Sequence, residues 1–419
     1  MLLAPGLILL ALLGAPLFAI IAASALWGFW KSGIDLQVIA IEFFGIAEMP
    51  ILLAIPLFTF AGYLLSESNA PHRLVRLTRA LLGWMPAGLA IVSLVACAFF
   101  TAFTGASGVT IIALGALLFP ALNEAGYPER FNLGLVTSAG SLGLLFAPSL
   151  PLILYGVVAE ISIEDLFLAG ILPGFLMLLV LSAYSVWKNR AIRVPIGDFS
   201  WAEVAAATRA AAWEIPLPIV VLGGIYSGYF AISEAAAVTA LYVLVIDVLI
   251  LKEVAWREIP RIMRESMVLV GGILIILGVS LASTNYMIDA GVPQKLLGWI
   301  SGYVASPFGF MVLLLVFLLI LGAVLDIFSA IVLVVPLILP IATQFGIDPV
   351  HLGIVFLATM QLGYITPPVG LNLFIASYRF ERSITRLYVA TLPWFLFLLI
   401  SVGIIAFWPQ LSLALIAGR

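Results

Sequence analysis

Two short runs hold the residue types that could bind an ion or a small anion inside an apolar chain. Thr101-Ala-Phe-Thr-Gly-Ala-Ser-Gly108 and Gly322-Ala-Val-Leu-Asp-Ile-Phe-Ser329 interrupt hydrophobic stretches with hydroxyls, glycines and one carboxylate. Two further runs, Gly143-Leu-Leu-Phe-Ala-Pro148 and Gly363-Tyr-Ile-Thr-Pro-Pro-Val-Gly370, combine Gly and Pro as a continuous helix would not. A helix that breaks in lipid exposes N–H and C=O groups that hydrocarbon cannot satisfy, so each break must line a polar cavity or packed protein. Freed carbonyls with Thr and Ser hydroxyls form neutral oxygen cages suited to Na⁺. Half-helix N-termini carry positive dipole ends suited to a carboxylate. One break with one Gly/Pro tip makes one ion site, so two pairs predict two ion sites flanking a substrate site.

Asp326 sits inside the second interruption, where a charge is costly and its default reading is functional. It could assist a cation, bind a substrate hydroxyl or cap the restarting half-helix. Ser107, Gln361 and Asn372 are the other candidates for substrate contact; for Gln361 and Asn372 the alternative is hydrogen bonding between helices. Asp247 is expected at the membrane interface. His72 and His351 fall in predicted loops without a partner His or Cys, so metal catalysis has no support. Cys97 is the single cysteine, and no Ser/His/Asp set, P-loop or dinucleotide motif stands in a plausible context. The chain is not expected to be an enzyme.

These runs belong to a 419-residue chain that is 64% apolar and 9% charged, with mean hydropathy +1.25. A soluble domain carries about 25% charge and roughly 45–50% apolar residues. This composition excludes a cytosolic enzyme, a nucleic-acid binder and a disordered tail, and points to an all-α polytopic membrane protein. The net charge of −3 gives no basic field. The first thirty residues lack a basic n-region and are apolar for too long to be a signal peptide, so they are expected to form a membrane helix.

Apolar runs place spans near 3–29, 47–65, 84–122, 166–187, 214–231, 235–251, 267–284, 307–343 and 387–408. The run 131–159 folds in two at its Gly/Pro cluster, with each leg only about 20 Å long against a hydrocarbon core of ~30 Å. It is therefore expected to be a re-entrant hairpin, as is 352–376. The runs 84–122 and 307–343 are expected to be single crossings broken in the middle. With the N-terminus inside, 14 of 18 Lys and Arg then fall in cytoplasmic loops, and Lys31, Arg130, Lys295 and Arg419 fall outside. Pro71–Leu82 and Glu253–Glu265 are amphipathic and are expected to lie along the cytoplasmic surface.

The chain also repeats itself. Ile171-Leu-Pro-Gly-Phe-Leu-Met-Leu-Leu179 matches Thr391-Leu-Pro-Trp-Phe-Leu-Phe-Leu-Leu399, and Leu133-Gly-Leu-Val136 matches Leu352-Gly-Ile-Val355. Leu81-Leu-Gly-Trp84 recurs as Leu296-Leu-Gly-Trp299. The expected organisation is a single membrane domain over 1–419, with repeat 1 over 47–187, a central scaffold segment over 188–266 and repeat 2 over 267–408. An odd number of crossings separates equivalent points, so the halves are inverted, a pattern tied to secondary transporters.

Phe167-Leu-Ala-Gly-Ile-Leu-Pro-Gly174, Gly346-Ile-Asp-Pro-Val-His-Leu-Gly353 and Ile365-Thr-Pro-Pro-Val-Gly-Leu-Asn-Leu-Phe374 resemble the large membrane subunit of the tripartite ATP-independent periplasmic (TRAP) transporters. The resemblance covers essentially the whole chain. It implies Na⁺-driven uptake of organic acids (C4-dicarboxylates, sialic acid or other sugar acids) across a bacterial inner membrane by an elevator motion. The implied partners are a small four-helix membrane subunit, expected as a separate chain, and a periplasmic substrate-binding protein. By the same resemblance one Na⁺ is held at Thr101, Thr104, Gly143, Phe146 and Pro148, and a second at Gly322, Leu325, Gly363, Thr366 and Val369, mostly through backbone carbonyls. This chain has Thr at 101 and 104 where the family often has Ser, and Ala147-Pro148 where a double proline is common. Neither change loses an oxygen. The rival functions are a stand-alone Na⁺-coupled anion or carboxylate carrier and a non-transporting membrane scaffold.

Overall fold

The computed structural model describes the chain except residues 1–5, 8, 9, 11, 12, 191–197, 305 and 419. The predicted first span therefore lies partly outside the described residues. Those described are helical throughout, without strands. In the first half α1 covers Leu17–Ser32, α2 Gln37–Gly45, α3 Ala54–Glu67, α4 Ala70–Leu82, α5 Gly88–Thr104, α6 Ser107–Glu124, α7 Glu129–Ala139, α8 Leu150–Ala159, α9 Ile163–Ala169 and α10 Ile171–Asn189. After α11 (Trp201–Ala210), α12 (Pro216–Tyr226) and α13 (Ile232–Leu244), the second half runs α14 (Ile259–Asp289), α15 (Val292–Ser301), α16 (Pro307–Gly322), α17 (Ile327–Gln344), α18 (Pro349–Gly363), α19 (Leu371–Phe380), α20 (Ile384–Phe407) and α21 (Gln410–Leu413). Seven of the helical segments are long and apolar enough to cross a membrane. Large apolar side chains on their outer faces are bare, such as Leu179 at 67%, Leu241 at 63% and Val268 at 71% exposure. Only lipid covers such a surface at low cost.

The two hairpins and two broken helices are present, but the sequence expectation exchanges their places. Residues 88–124 form a re-entrant hairpin. Gly105, at φ +64°, reverses the chain between α5 and α6, and Tyr127, just past α6, faces the backbone of Ala90 in the first turn of α5. Residues 307–344 do the same from the opposite side: Phe310 in α16 stacks on Phe345 just past α17, with ring centroids 4.7 Å apart. The run 129–159, by contrast, does not double back. Its two legs bend by only 44°, so it crosses as a broken helix. At one end Glu129 pairs with Arg382 (2.6 Å); at the other, the Tyr155 hydroxyl donates to the Pro349 carbonyl.

The run 349–380 crosses likewise. His351 near its start reaches Ser412 and Ala406, while Phe380 at its end packs against Phe119 of α6. Length misled the expectation, because short legs fit a crossing as well as a hairpin when the break itself adds non-helical length. The exchange also moves Arg130 to the cytoplasmic end, beside Arg382, so the basic residues segregate better than the sequence expectation allowed.

Each half thus contains a hairpin and then a broken crossing, entered from opposite sides of the membrane. The first broken helix docks where α20 is weakened. Pro393 lacks an N–H, which leaves the Val389 carbonyl without its helical donor, and the Arg130 guanidinium donates to it at 2.9 Å. Gly134 sits against the same turn; a Cβ there would lie 2.3 Å from the Ala390 carbonyl.

Two local expectations are corrected. Glu253–Glu265 is not a separate surface helix. Its second half is the start of α14, since Arg261 pairs with Glu258, Glu265 and Glu67 and no Gly or Pro interrupts 261–270. Pro71–Leu82 does form an amphipathic helix, α4. The histidines lie in helices: His72 is exposed on α4, and His351 is buried in α18 between hydrogen-bonding partners.

The corrected topology is testable with single cysteines. With Cys97, which is buried, replaced by Ala, Glu124→Cys is expected to react with an impermeant maleimide only from the cytoplasmic side, and Gln344→Cys only from the periplasmic side. Labelling in the reverse pattern would restore the single-crossing assignment.

Candidate substrate and ion site

Both hairpin tips and both breaks meet at one cavity of about 300 Å³. Gly105, Ser107 and Gly108 reach it from the first hairpin, Asp326 and Phe328 from the second. Leu144 and Tyr364 come from the two broken helices, and Tyr63 and Leu269 close the side. The lining includes no Lys or Arg. Of the four substrate candidates, Ser107 and Asp326 line this cavity. Gln361 and Asn372 do not: Gln361 donates to the Met177 sulfur (3.1 Å), and Asn372 to the Thr137 carbonyl (3.2 Å). Each nonetheless keeps a buried side-chain oxygen without a partner.

The two restarting half-helices begin at equivalent places, 220 positions apart, but are capped differently. Asp326 caps α17: its Oδ1 accepts from the Phe328 and Ser329 N–H groups, both at 3.0 Å, and its Oδ2 from the Ser329 hydroxyl at 2.5 Å. Of the three roles open to Asp326 from sequence, capping is the one this geometry displays. The corresponding residue before α6 is Ala106, which supplies no side-chain cap. The first N–H groups of α6 are therefore left without helical or side-chain acceptors at the cavity wall. Ser107 adds a hydroxyl that hydrogen-bonds to none of the described residues, on a residue only 4% exposed. An α-helix N-terminus with free donors is a ready anion site.

Around the first break, oxygens crowd together. The Thr101 hydroxyl lies 2.7 Å from the Cys97 carbonyl, 2.7 Å from the Thr110 hydroxyl and 2.9 Å from the Gly140 carbonyl. Two hydroxyl protons cannot saturate these acceptors, and a neutral oxygen nest of this kind fits a hard monovalent cation. Gly143 brings the broken helix against the hairpin so closely that a Cβ would lie 2.1 Å from the Ala98 carbonyl. Thr104 reaches only the Ala106 carbonyl, at 3.5 Å, and Phe146 turns its ring to Phe175. Pro148 follows a cis peptide bond, and its counterpart Pro368 does too.

Around the second break, a Cβ on Gly363 would lie 2.6 Å from the Gly322 backbone. The Thr366 hydroxyl donates to the Leu362 carbonyl (2.9 Å), and the Gly370 N–H to the Ala323 carbonyl (3.0 Å). Leu325 donates its N–H to Leu321, and Val369 lies 40% exposed at the tip. Sequence reasoning missed Thr110, one turn past the first break, and Gly140. It also missed Tyr364, whose hydroxyl accepts the Ile327 N–H at 2.7 Å. Tyr364 adjoins Gly363 in a run already singled out, so adjacency was its signal. Thr110 carried none beyond lying three residues from Ser107.

Two oppositely inserted hairpins whose tips meet two broken helices around a shared cavity define the core of a secondary transporter. The comparisons with known proteins agree. The model of the tripartite ATP-independent periplasmic transporter, DctM component, matches residues 5–411, and the chain belongs to that family. It is 35% identical over 378 residues to the C4-dicarboxylate TRAP transporter large permease protein of Pseudomonas aeruginosa, covering 90% of this chain and 88% of that one. It is 33% identical over 413 residues to the ectoine/5-hydroxyectoine TRAP transporter large permease protein of Ruegeria pomeroyi, covering 97% and 96%. Among solved structures, the Alcanivorax borkumensis YdaH transporter, described as having an unusual topology, superimposes with a TM-score of 0.64 at 15% identity over 90% of this chain and 89% of its own. That likeness is one of fold. The chain is thus a large permease subunit, a multi-pass protein of the inner membrane and not an enzyme.

The capping geometry makes a graded prediction. Asn caps about as well as Asp, whereas Ala loses about 1 kcal/mol. Asp326→Ala should lower the melting temperature of the purified protein measurably, and Asp326→Asn should leave it close to wild type. Equal loss in both would mean that the charge, not the cap, stabilises α17.

Proposed function

We propose that this permease imports an organic acid by Na⁺ symport, receiving it from a periplasmic substrate-binding protein and working with a small four-helix membrane subunit. The observation that carries this reading is the uncapped start of α6, with the free Ser107 hydroxyl beside it, at a cavity without Lys or Arg. Such a site takes a carboxylate through backbone N–H groups and one hydroxyl. Apolar walls from Leu144, Leu269, Phe328 and Leu371 accommodate a hydrocarbon skeleton. Two relatives are named for C4-dicarboxylates and for ectoines, and both compound classes carry a carboxylate.

Thr101, Gly143, Phe146 and Pro148 with Thr104 would hold one Na⁺, and Gly322, Leu325, Gly363, Thr366 and Val369 a second. Thr110 and Gly140 extend the first set. Bound Na⁺ supplies positive charge next to the anion's cavity. The chain's own residues fix the distance, because Gly143 and Gly363 leave no room between hairpin and broken helix. Ions that tie each tip to its partner would let these elements move together as an elevator.

The test is uptake of labelled organic acids into proteoliposomes holding both membrane subunits. Uptake is expected only with an inward Na⁺ gradient and a loaded binding protein. Thr101→Val should raise the Na⁺ concentration for half-maximal uptake several-fold at unchanged expression. Uptake by the wild type that ignores Na⁺ would reject the coupling, and uptake without any binding protein would point to a stand-alone carrier.

A further inference from the structure

Outside the transport cavity, at the cytoplasmic end, one largely buried guanidinium faces three carboxylates. Arg73 of α4 binds Glu214, in the turn before α12, and Glu253, in the segment after α13. Glu253 is fully engaged, because its second oxygen accepts the Asn69 N–H at 2.8 Å. Burial alone would raise its carboxyl, but the Arg73 and Asn69 hydrogen bonds prevail and hold it below the usual carboxylate range. Glu253 is therefore charged, and one of its oxygens takes the guanidinium. Glu214, 3% exposed, also binds Arg73 through one oxygen, while its Oε2 is buried without a partner.

The third carboxylate belongs to Asp247. Asp247 is 1% exposed, in the wide π-type turn Val245–Ile250 that ends α13. Its Oδ2 is buried and unpartnered. Its backbone carbonyl instead receives the Glu253 and Val254 N–H groups (2.8 and 3.3 Å), which fixes the carboxyl facing inward. The charged and polar groups around it are Arg73 from α4, Glu214 from before α12, Glu253 from its own loop and Ser68 from the end of α3, with Tyr242 from α13 itself. Arg73 already serves Glu214 and Glu253, so a charged Asp247 would stand buried with no counter-charge of its own, which proteins do not sustain. The described residues offer no group of three metal ligands here.

We infer that the Asp247 carboxyl is a proton-binding site at the junction of α3, α4, α12 and α13. Loss of the proton leaves a third carboxylate competing for Arg73. The Arg73 side chain then shifts toward Asp247 and loosens α4, which packs directly on the first hairpin. The site thus responds to cytoplasmic pH.

Infrared difference spectra of the purified wild type and Asp247→Asn, titrated from pH 6 to 9, test this directly. The wild type should show a carboxylic-acid carbonyl band at pH 6 that fades as pH rises, and the variant should lack it. Asn mimics the neutral acid, so the variant's melting temperature should stay level across this range while that of the wild type falls with alkalinity. An identical band in both proteins, or no such band in the wild type, overturns the assignment. So does a wild-type melting temperature that stays level with pH but rises with K⁺ when that of Asp247→Asn does not, which would mean a metal cation occupies the site.

Discussion

Backbone polar groups inside hydrocarbon must find partners, and the rest of this structure follows from how that demand is met. Four interruptions in the middle of a membrane would each be costly alone. Here they are brought together in pairs, hairpin tip against broken helix. The contacts that allow this are between backbones. Gly143 lies against the Ala98 carbonyl and the Ala102 N–H, and Gly363 against Gly322. A side chain at either position would hold the partners apart and open a gap in which freed carbonyls meet nothing. Close approach also concentrates oxygens, as around Thr101, so the solution to a folding problem creates an ion-binding environment.

The two halves solve the same problem with different side chains, and the difference gives the cavity its polarity. Asp326 closes the donor end of α17, whereas Ala106 leaves that of α6 open. An exact two-fold site would have offered two equivalent helix ends. This one presents free donors on one wall and a carboxylate already engaged on the other. A bound anion therefore has one favoured end.

Much of this was legible in the sequence because lipid imposes strict rules. Composition alone fixes an all-helical membrane protein, and the positions of the breaks follow from Gly and Pro. The repeat was visible because Ile171–Leu179 and Thr391–Leu399 still match. What the sequence hid was the direction of the chain at each break. Gly105-Ala106 and the stretch from Gly140 to Ser149 are both interruptions, but only the first reverses the path. That depends on a positive φ at Gly105 and on what the following helix packs against. One clue was available: the hairpin assignment first expected left Arg130 on the side away from Arg382, whereas exchanging the elements unites them. Gln361 and Asn372 illustrate the other limit. Polar residues near a break attract functional readings, yet helix-to-helix hydrogen bonds account for part of what they do. Thr110 shows the converse, since an ordinary-looking residue joins the oxygen cluster only because the hairpin folds back.

The measurement that bears most directly on this account is an electron-microscopy structure of the permease with its small subunit, in Na⁺ and a transported organic acid. The account predicts density for an anion in the cavity between the start of α6 and Asp326. It also predicts a spherical feature among Thr101, Thr110 and Gly140 that is lost when Na⁺ is replaced by choline. An anion bound elsewhere, such as in the cleft lined by Arg130 and Arg386 at the cytoplasmic end, with the central cavity occupied only by water, would contradict it.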